Sequence, residues 1–144
     1  MIAYVDASVL LRVALEQPNA LPQLRKIERG VSSALVTVES LRTLDRLRVR
    51  VGLADEEIAA RRAAIMALIA SLEIVDLDAT VLDRAAQPMP TELGILDAIH
   101  LATALLWGHM VGVTPVMATH HEALALAAHA HGLEVVGVGL GGPE

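Results

Sequence analysis

From residue 2 to residue 138 the chain alternates short apolar runs with longer stretches of helical pattern. The apolar runs are 2–5 (IAYV), 31–36 (VSSALV), 73–76 (EIVD), 113–118 (VTPVMA) and 134–138 (EVVGV). Helical patterns fill the intervals at 7–16, 20–29, 38–50, 55–72, 78–87, 95–107 and 122–131. Strand alternating with helix over the whole length predicts an α/β fold: a central, mainly parallel sheet of about four or five strands flanked by helices. Local signals punctuate the pattern. Gly30 reads as the C-cap of the 20–29 helix, Thr37 as the cap of the next, and Gly52 as its stop. Asp55, Glu56 and Glu57 place acid at a helix start, where the helix dipole favours it. Pro88 and Pro90 mark a loop, and Pro115 sits awkwardly in its run because proline cannot donate to a ladder. No repeat, linker or second domain is visible. One domain is expected over 1–138, with a flexible tail over 139–144.

Composition narrows the function. At 144 residues the chain is long enough to bury a core without disulfide or structural metal. It has no cysteine, which removes disulfide frameworks, thiolate zinc sites and cysteine nucleophiles and suits a reducing cytoplasm. A formal charge of -6 argues against binding nucleic acid through bulk charge, and leaves room for carboxylates gathered around metal ions. Tyr4 and Trp107 are the only aromatic residues, too few for a base-stacking platform. The N-terminus has no basic region ahead of its apolar stretch, unlike a signal peptide. The uncharged stretch 98–121 is broken by Gly108, Gly112 and Pro115, and reads as helix, turn and strand, not as a membrane span.

Most acidic residues fall on polar faces or at helix starts. Asp6, Glu39 and Asp97 instead have apolar flanks, in YVDASVLL, LVTVESL and LGILDAIHLA. Each falls at a strand-to-helix junction or in a first helical turn. Each alone has an ordinary explanation as a cap or dipole-favoured acid. A buried carboxylate needs a compensating partner, and no Lys or Arg stands in the immediate flanks of Asp6 or Asp97. Ligands of open parallel sheets bind beyond the carboxyl ends of the strands. Three acids converging there call for a hard cation such as Mg²⁺ or Mn²⁺.

Three motifs, YVDASVLLR at 4–12, VSSALVTVESLRTLDRLR at 31–48 and ILDAIHLATALL at 95–106, together with the looser PVMATHHEALALAAHAHGLEVV at 115–136, resemble the PIN-domain ribonucleases, and within them the VapC-type toxins of bacterial toxin–antitoxin pairs. The likeness spans residues 2–137. It implies the PIN fold and hydrolysis of RNA phosphodiesters with Mg²⁺ or Mn²⁺. It assigns Asp6, Glu39 and Asp97 as the catalytic, metal-holding acids, and Ser8, Thr119 and the residue at 121 as supporting groups. It also implies a cognate antitoxin, a homodimer and a cytoplasmic location. The chain departs from the family at one point: Thr119-His120-His121 stands where Thr-any-Asp is usual. Imidazole is a poorer ligand than carboxylate for Mg²⁺ but suits Mn²⁺, so the fourth acid and a second metal site are in question. Glu122 is adjacent and is a candidate substitute, although its side chain would have to point differently along the helix.

Arg42, Arg46 and Arg50 follow Glu39 at helical spacing, and Arg12 follows Asp6. Arg12, Arg42 and Arg46 are candidate RNA-phosphate contacts, and Arg50 reads as a solvated residue. His100, three residues after Asp97, could hydrogen-bond near the site, but the favoured reading is a satisfied core histidine. Trp107 reads as packed at the end of its helix, or as a dimer contact. The helices over 38–50 and 54–72 are expected to form an apolar groove for a partner. Two other readings stay open: a Mg²⁺-dependent phosphoryl-transfer domain built on Asp6, and a PIN-fold binding protein without catalysis. A phosphatase of the D-x-D kind would need a second acid where Ser8 stands. A receiver domain would need a late lysine, and Lys26 is the chain's only one.

Overall fold

The run Ile2–Val5 forms β1, the middle strand of a five-stranded sheet, in a computed structural model that describes residues 1–139. Helix α1 (Ala7–Ala14) follows, then a single 3₁₀ segment (Pro22–Lys26). Next come β2 (Arg29–Ser33), α2 (Leu35–Val51), α3 (Asp55–Ala70), β3 (Glu73–Val75) and α4 (Ala79–Ala85). The chain closes with α5 (Ile95–Val111), β4 (Val116–Ala118), α6 (Glu122–Ala130) and β5 (Val135–Val136). The strand order is β3-β2-β1-β4-β5, and every neighbouring pair is parallel. The chain therefore builds outward from β1 to β3, then crosses back to lay β4 on the other side of β1. That reversal opens a crevice at the carboxyl ends of β1 and β4.

Alternation along β1 sends its side chains to two cores. Ala3 and Val5 pack with Val9, Leu10, Val36, Leu44, Ile65 and Ile69 beneath α1, α2 and α3. Tyr4 points the other way, among Val31, Leu101, Trp107, Met117 and Leu124 beneath α5 and α6.

Several expected boundaries move, each for a local reason. Residues 20–29 make only the short 3₁₀ segment, and Gly30 lies inside β2 instead of capping a helix. A Cβ at Gly30 would stand 2.6 Å from the Leu72 side chain, so the close approach of α3's end, and not a turn, explains this glycine. Helix α2 starts at Leu35, not after Thr37, because the Ser33 hydroxyl accepts from the Leu35 N–H at 3.1 Å and ends β2 early. It stops at Gly52, which has φ +72°, as expected. Helix α5 runs past Trp107 to Val111, and β4 begins only after Pro115. The tail expected beyond 138 falls, from residue 140 onward, outside the described residues. Among the described residues no helix is long and apolar enough to cross a membrane.

At the upstream edge of the sheet, Glu73 joins β2, β3 and α5. Its Oε2 accepts from Arg29 Nε and Nη2 at 3.1 and 2.8 Å, and its Oε1 accepts from Trp107 Nε1 at 3.0 Å. The Arg29 guanidinium lies 5.0 Å from the Trp107 ring centroid. Trp107 is thus buried within its own chain, which excludes the dimer contact offered for it above.

Candidate metal centre

Asp6 ends β1 and occupies the N-cap position of α1, yet its side chain makes no capping hydrogen bond. The explanation of Asp6 as a plain cap therefore fails. Its fully buried carboxylate turns across to β4 instead. Oδ2 accepts from Ser8 Oγ at 2.7 Å and from Thr119 Oγ1 at 2.9 Å. Both hydroxyls are themselves anchored. Ser8 Oγ accepts from the His120 N–H at 2.9 Å, and Thr119 Oγ1 accepts from the His121 N–H at 3.0 Å. The two supporting hydroxyls expected from the sequence thus tie Asp6 to the segment after β4. That segment is held close by Gly137 (φ +103°), where a side chain would run into the Thr119 carbonyl.

The other Asp6 oxygen, Oδ1, is buried and has no hydrogen-bond partner. It faces His100 Nε2 at 3.6 Å. That same nitrogen lies 2.5 Å from Glu39 Oε1. Glu39 is in the second turn of α2 and His100 in the second turn of α5, so two helices from opposite faces of the sheet meet above the end of β1. On the far side of the imidazole, Nδ1 meets the Tyr4 hydroxyl at 2.7 Å. His100 is thus a satisfied, fully buried histidine, the favoured reading of it, and it also hydrogen-bonds at the centre, the less favoured one.

One ligand atom each from Asp6, Glu39 and His100 lie within 4.8 Å of one another. Asp97 is not part of this trio. It sits in the first turn of α5 at the rim, and its Oδ1 is 3.4 Å from His121 Nδ1. The same nitrogen is 3.6 Å from Asp6 Oδ2. His121 therefore joins Asp97 to the buried acid. Glu122 is exposed in the first turn of α6 and is not among the grouped ligand atoms of Asp6, Glu39 and His100.

Electrostatics match this geometry. Burial opposes charge on His100, but the hydrogen bond to Glu39 and the charges of Asp6, Glu39 and Asp97 outweigh it and raise the pKa. The Asp97 carboxylate, as acceptor for the His121 imidazole, and the charges of Asp6, Asp97 and Glu39 raise that of His121 against its partial burial. Burial first, then the charge of Asp6, raises Tyr4 far above the ordinary phenol value, so its hydroxyl stays protonated. Among the described residues no Lys or Arg pairs with Asp6, Glu39 or Asp97. Two acids and an imidazole around an unpartnered buried oxygen fit a small divalent cation.

A groove of about 630 Å³ leads away from the centre between α1 and α2, and Ser8, Glu39, His120 and His121 close its inner end. Leu11, Leu15, Val38 and Leu47 supply its apolar lining, and Arg12, Arg42 and Arg46 also line it. Helix α3 contributes nothing to it, so the groove expected from 38–50 and 54–72 lies instead against α1. The arginines are loosely held: Arg42 pairs with exposed Asp45, Arg46 donates to Thr43 Oγ1, and Arg12 reaches the Asn19 carbonyl at 3.4 Å. Arg50 is exposed and lies outside this groove.

Comparison with known proteins agrees with this architecture. The family model described as PIN domain matches residues 3–109. Ribonuclease VapC46 of Mycobacterium tuberculosis is 36% identical over 136 residues, spanning 92% of this chain and 95% of its own. A toxin–antitoxin complex from Klebsiella pneumoniae holds a chain of like fold, with TM-score 0.62 and 17% identity over 85% of this chain and 90% of that one. The Rickettsia felis VapBC2 complex, bound to a DNA fragment from its promoter, holds another, with TM-score 0.59 and 14% identity over 94% and 97%.

Proposed function

Because the chain belongs to the PIN domain family, in its VapC group, we propose that it is a metal-dependent endoribonuclease, the toxin of a toxin–antitoxin pair, working in the cytoplasm. The observation that carries the reading is the unpartnered, buried Asp6 oxygen facing Glu39 and His100, at the crevice where such a fold takes its ligand. Asp6, Glu39 and, at the rim, Asp97 are the acids that would hold Mg²⁺ or Mn²⁺. A cation bound there would make a water acidic enough to act as nucleophile at neutral pH and would neutralise charge on the phosphate.

The chain's own groups do the rest. Ser8 and Thr119 fix the orientation of Asp6. In the metal-free chain His100, backed by Tyr4, holds the Glu39 carboxylate toward the centre. Asp97 and His121 border the entrance, where RNA would arrive. Arg12, Arg42 and Arg46 line that approach and suit bidentate contacts with phosphates. The apolar lining suits an antitoxin segment lying in the same groove and blocking the acids. A homodimer is part of the same proposal.

The test is cleavage by the purified, partner-free chain, with Mg²⁺, Mn²⁺ or EDTA, beside Asp6→Asn and Asp97→Asn. Metal-dependent cleavage lost in Asp6→Asn is the expected outcome. Cleavage that survives both substitutions rejects the site. Metal binding without cleavage of any RNA favours a binding protein on the same fold.

A further inference from the structure

The departure at position 121 has a structural counterpart. Asp6 lies between two imidazoles, one facing each of its oxygens. His100 Nε2 is 3.6 Å from Oδ1, and His121 Nδ1 is 3.6 Å from Oδ2. His121 Nδ1 is also 3.4 Å from Asp97 Oδ1. These separations are long for hydrogen bonds, whose usual span is about 2.7–3.2 Å. They fall between the gaps of about 3 Å for adjacent and about 4 Å for opposite donors of one small six-coordinate cation held at about 2.0–2.2 Å.

His121 is not placed by chance. Thr119 Oγ1 donates to Asp6 and accepts from the His121 N–H, so one hydroxyl sets the backbone of 121 relative to the buried carboxylate. The His121 side chain is half exposed and reaches the centre from the solvent side. The inner imidazole has the support usual for a metal-ligating histidine, a hydrogen-bonding group on its other nitrogen, here the Tyr4 hydroxyl at 2.7 Å. The independent sign that a ligand belongs at this carboxylate is on its His100 side, where Asp6 Oδ1 is buried and without a partner, while Oδ2 on the His121 side also accepts from Ser8 and Thr119.

We propose that His121 is a metal-facing group, and that with His100 it converts an all-oxygen centre into a mixed carboxylate–imidazole one that prefers an imidazole-accepting transition ion, of which Mn²⁺ is the probe, over Mg²⁺. The inference rests on the reading of this centre as a metal site and goes beyond it by naming the class of ion. Its physical basis is donor chemistry. Mg²⁺ is hard, dehydrates reluctantly and takes oxygen, whereas imidazole nitrogen suits first-row transition ions.

The experiment uses the full chain, freed of metal with EDTA and titrated at one fixed pH. Free Mn²⁺ is read by its EPR signal, and Mg²⁺ by competition. The comparison is with His121→Asp, which restores an acid and puts a good N-cap residue at the start of α6, so the variant folds. Mn²⁺ binds many sites more tightly than Mg²⁺, so the decisive quantity is the change in the ratio of the two dissociation constants. The expected result is that His121→Asp shifts this ratio toward Mg²⁺ by about tenfold, the low end of what ligand-shell changes do. Pulsed EPR of bound Mn²⁺ should also show nitrogen coupling that weakens in the variant. An unchanged ratio, or nitrogen coupling equal in both proteins, overturns the inference. RNA cleavage persisting beside an unchanged ratio overturns it alone and leaves the nuclease reading standing. No binding of either ion overturns both.

Discussion

Helix α5 carries two fully buried rings seven residues apart, Trp107 and His100, and each reaches a carboxylate at an opposite edge of the sheet. At the upstream edge, Trp107 and Arg29 together give Glu73 three donors, and the guanidinium lies over the indole. At the downstream edge, His100 serves Glu39, but Asp6 beside it keeps one buried oxygen without a donor, and the nearby charges are of the same sign. The parts are similar and the bookkeeping of donors is opposite. A network whose acceptors are all met ties strands together. A network short of donors raises the free energy of the metal-free chain and is relieved by a ligand. Its survival in a fold of marginal stability is the physical argument for function.

Substitutions at the two networks should separate stability from metal affinity. The largest effect is expected at the upstream edge. Trp107→Ala should cost about 3–5 kcal/mol, because it empties a core position as well as removing a hydrogen bond. Urea unfolding measures the loss, and Mn²⁺ affinity of the folded variant should stay within about twofold, since nothing at the far edge touches the centre. A tenfold loss of metal affinity in that variant would show the two ends to be coupled and would break the comparison.

Asp6→Asn is the mirror experiment. Metal affinity should fall more than about a hundredfold, above the range for outer partners. The metal-free chain, however, should become more stable, by about 1 kcal/mol, because an unpaired buried charge is removed and the new amide can donate toward Glu39. The sign of the stability change decides. A destabilised variant would mean that Asp6 holds the fold together, as Trp107 does.

How much of this was legible in the sequence follows the range of the interactions. The alternation of strand and helix is local, and all five strands were found from it. Asp6, Glu39 and Asp97 stood out because their apolar flanks are local too. What was lost depended on distant partners. Gly30 looks like a helix stop until Leu72 is seen packed against it. His100 reads as core ahead of site because its hydrogen-bond partners lie 61 and 96 residues away in the chain. Asp97 was legible as an acid but not as a rim residue, since that distinction is set by how α5 docks. Local signals were missed too: Ser33 as the starter of α2, because the run VSSALV reads as continuous strand, and Gly112 as the stop of α5.

His100→Gln should lower metal affinity about 10–100-fold, measured by equilibrium dialysis, since either a ligand or the group orienting Glu39 is lost. Tyr4→Phe should do less. It leaves the buried ring volume intact and removes one hydrogen bond, at about 1 kcal/mol of stability, with a several-fold loss of metal affinity as His100 loosens. No loss of affinity in Tyr4→Phe would place the phenol with the architecture and not with the centre.

The smallest effect belongs to Glu73→Gln. The amide keeps an acceptor for Trp107 Nε1 but gives up the charge that faces Arg29, and both side chains of that pair are nearly half exposed, at 44% and 46%. Exposed ion pairs contribute little, so about 0.5 kcal/mol is expected at neutral pH. The pH dependence has a definite sign. Hydrogen bonding from Trp107, then Arg29, holds the Glu73 pKa below the ordinary carboxylate value. The folded chain thus favours the ionised form, and the contribution is fully present above the unfolded pKa and is lost as pH falls through the folded one. The stability gap between the wild type and Glu73→Gln should therefore close on acidification, while their Mn²⁺ affinities at neutral pH remain equal. A gap that widens in acid would mean that Glu73 is no longer the saturated acceptor on which the contrast with Asp6 depends.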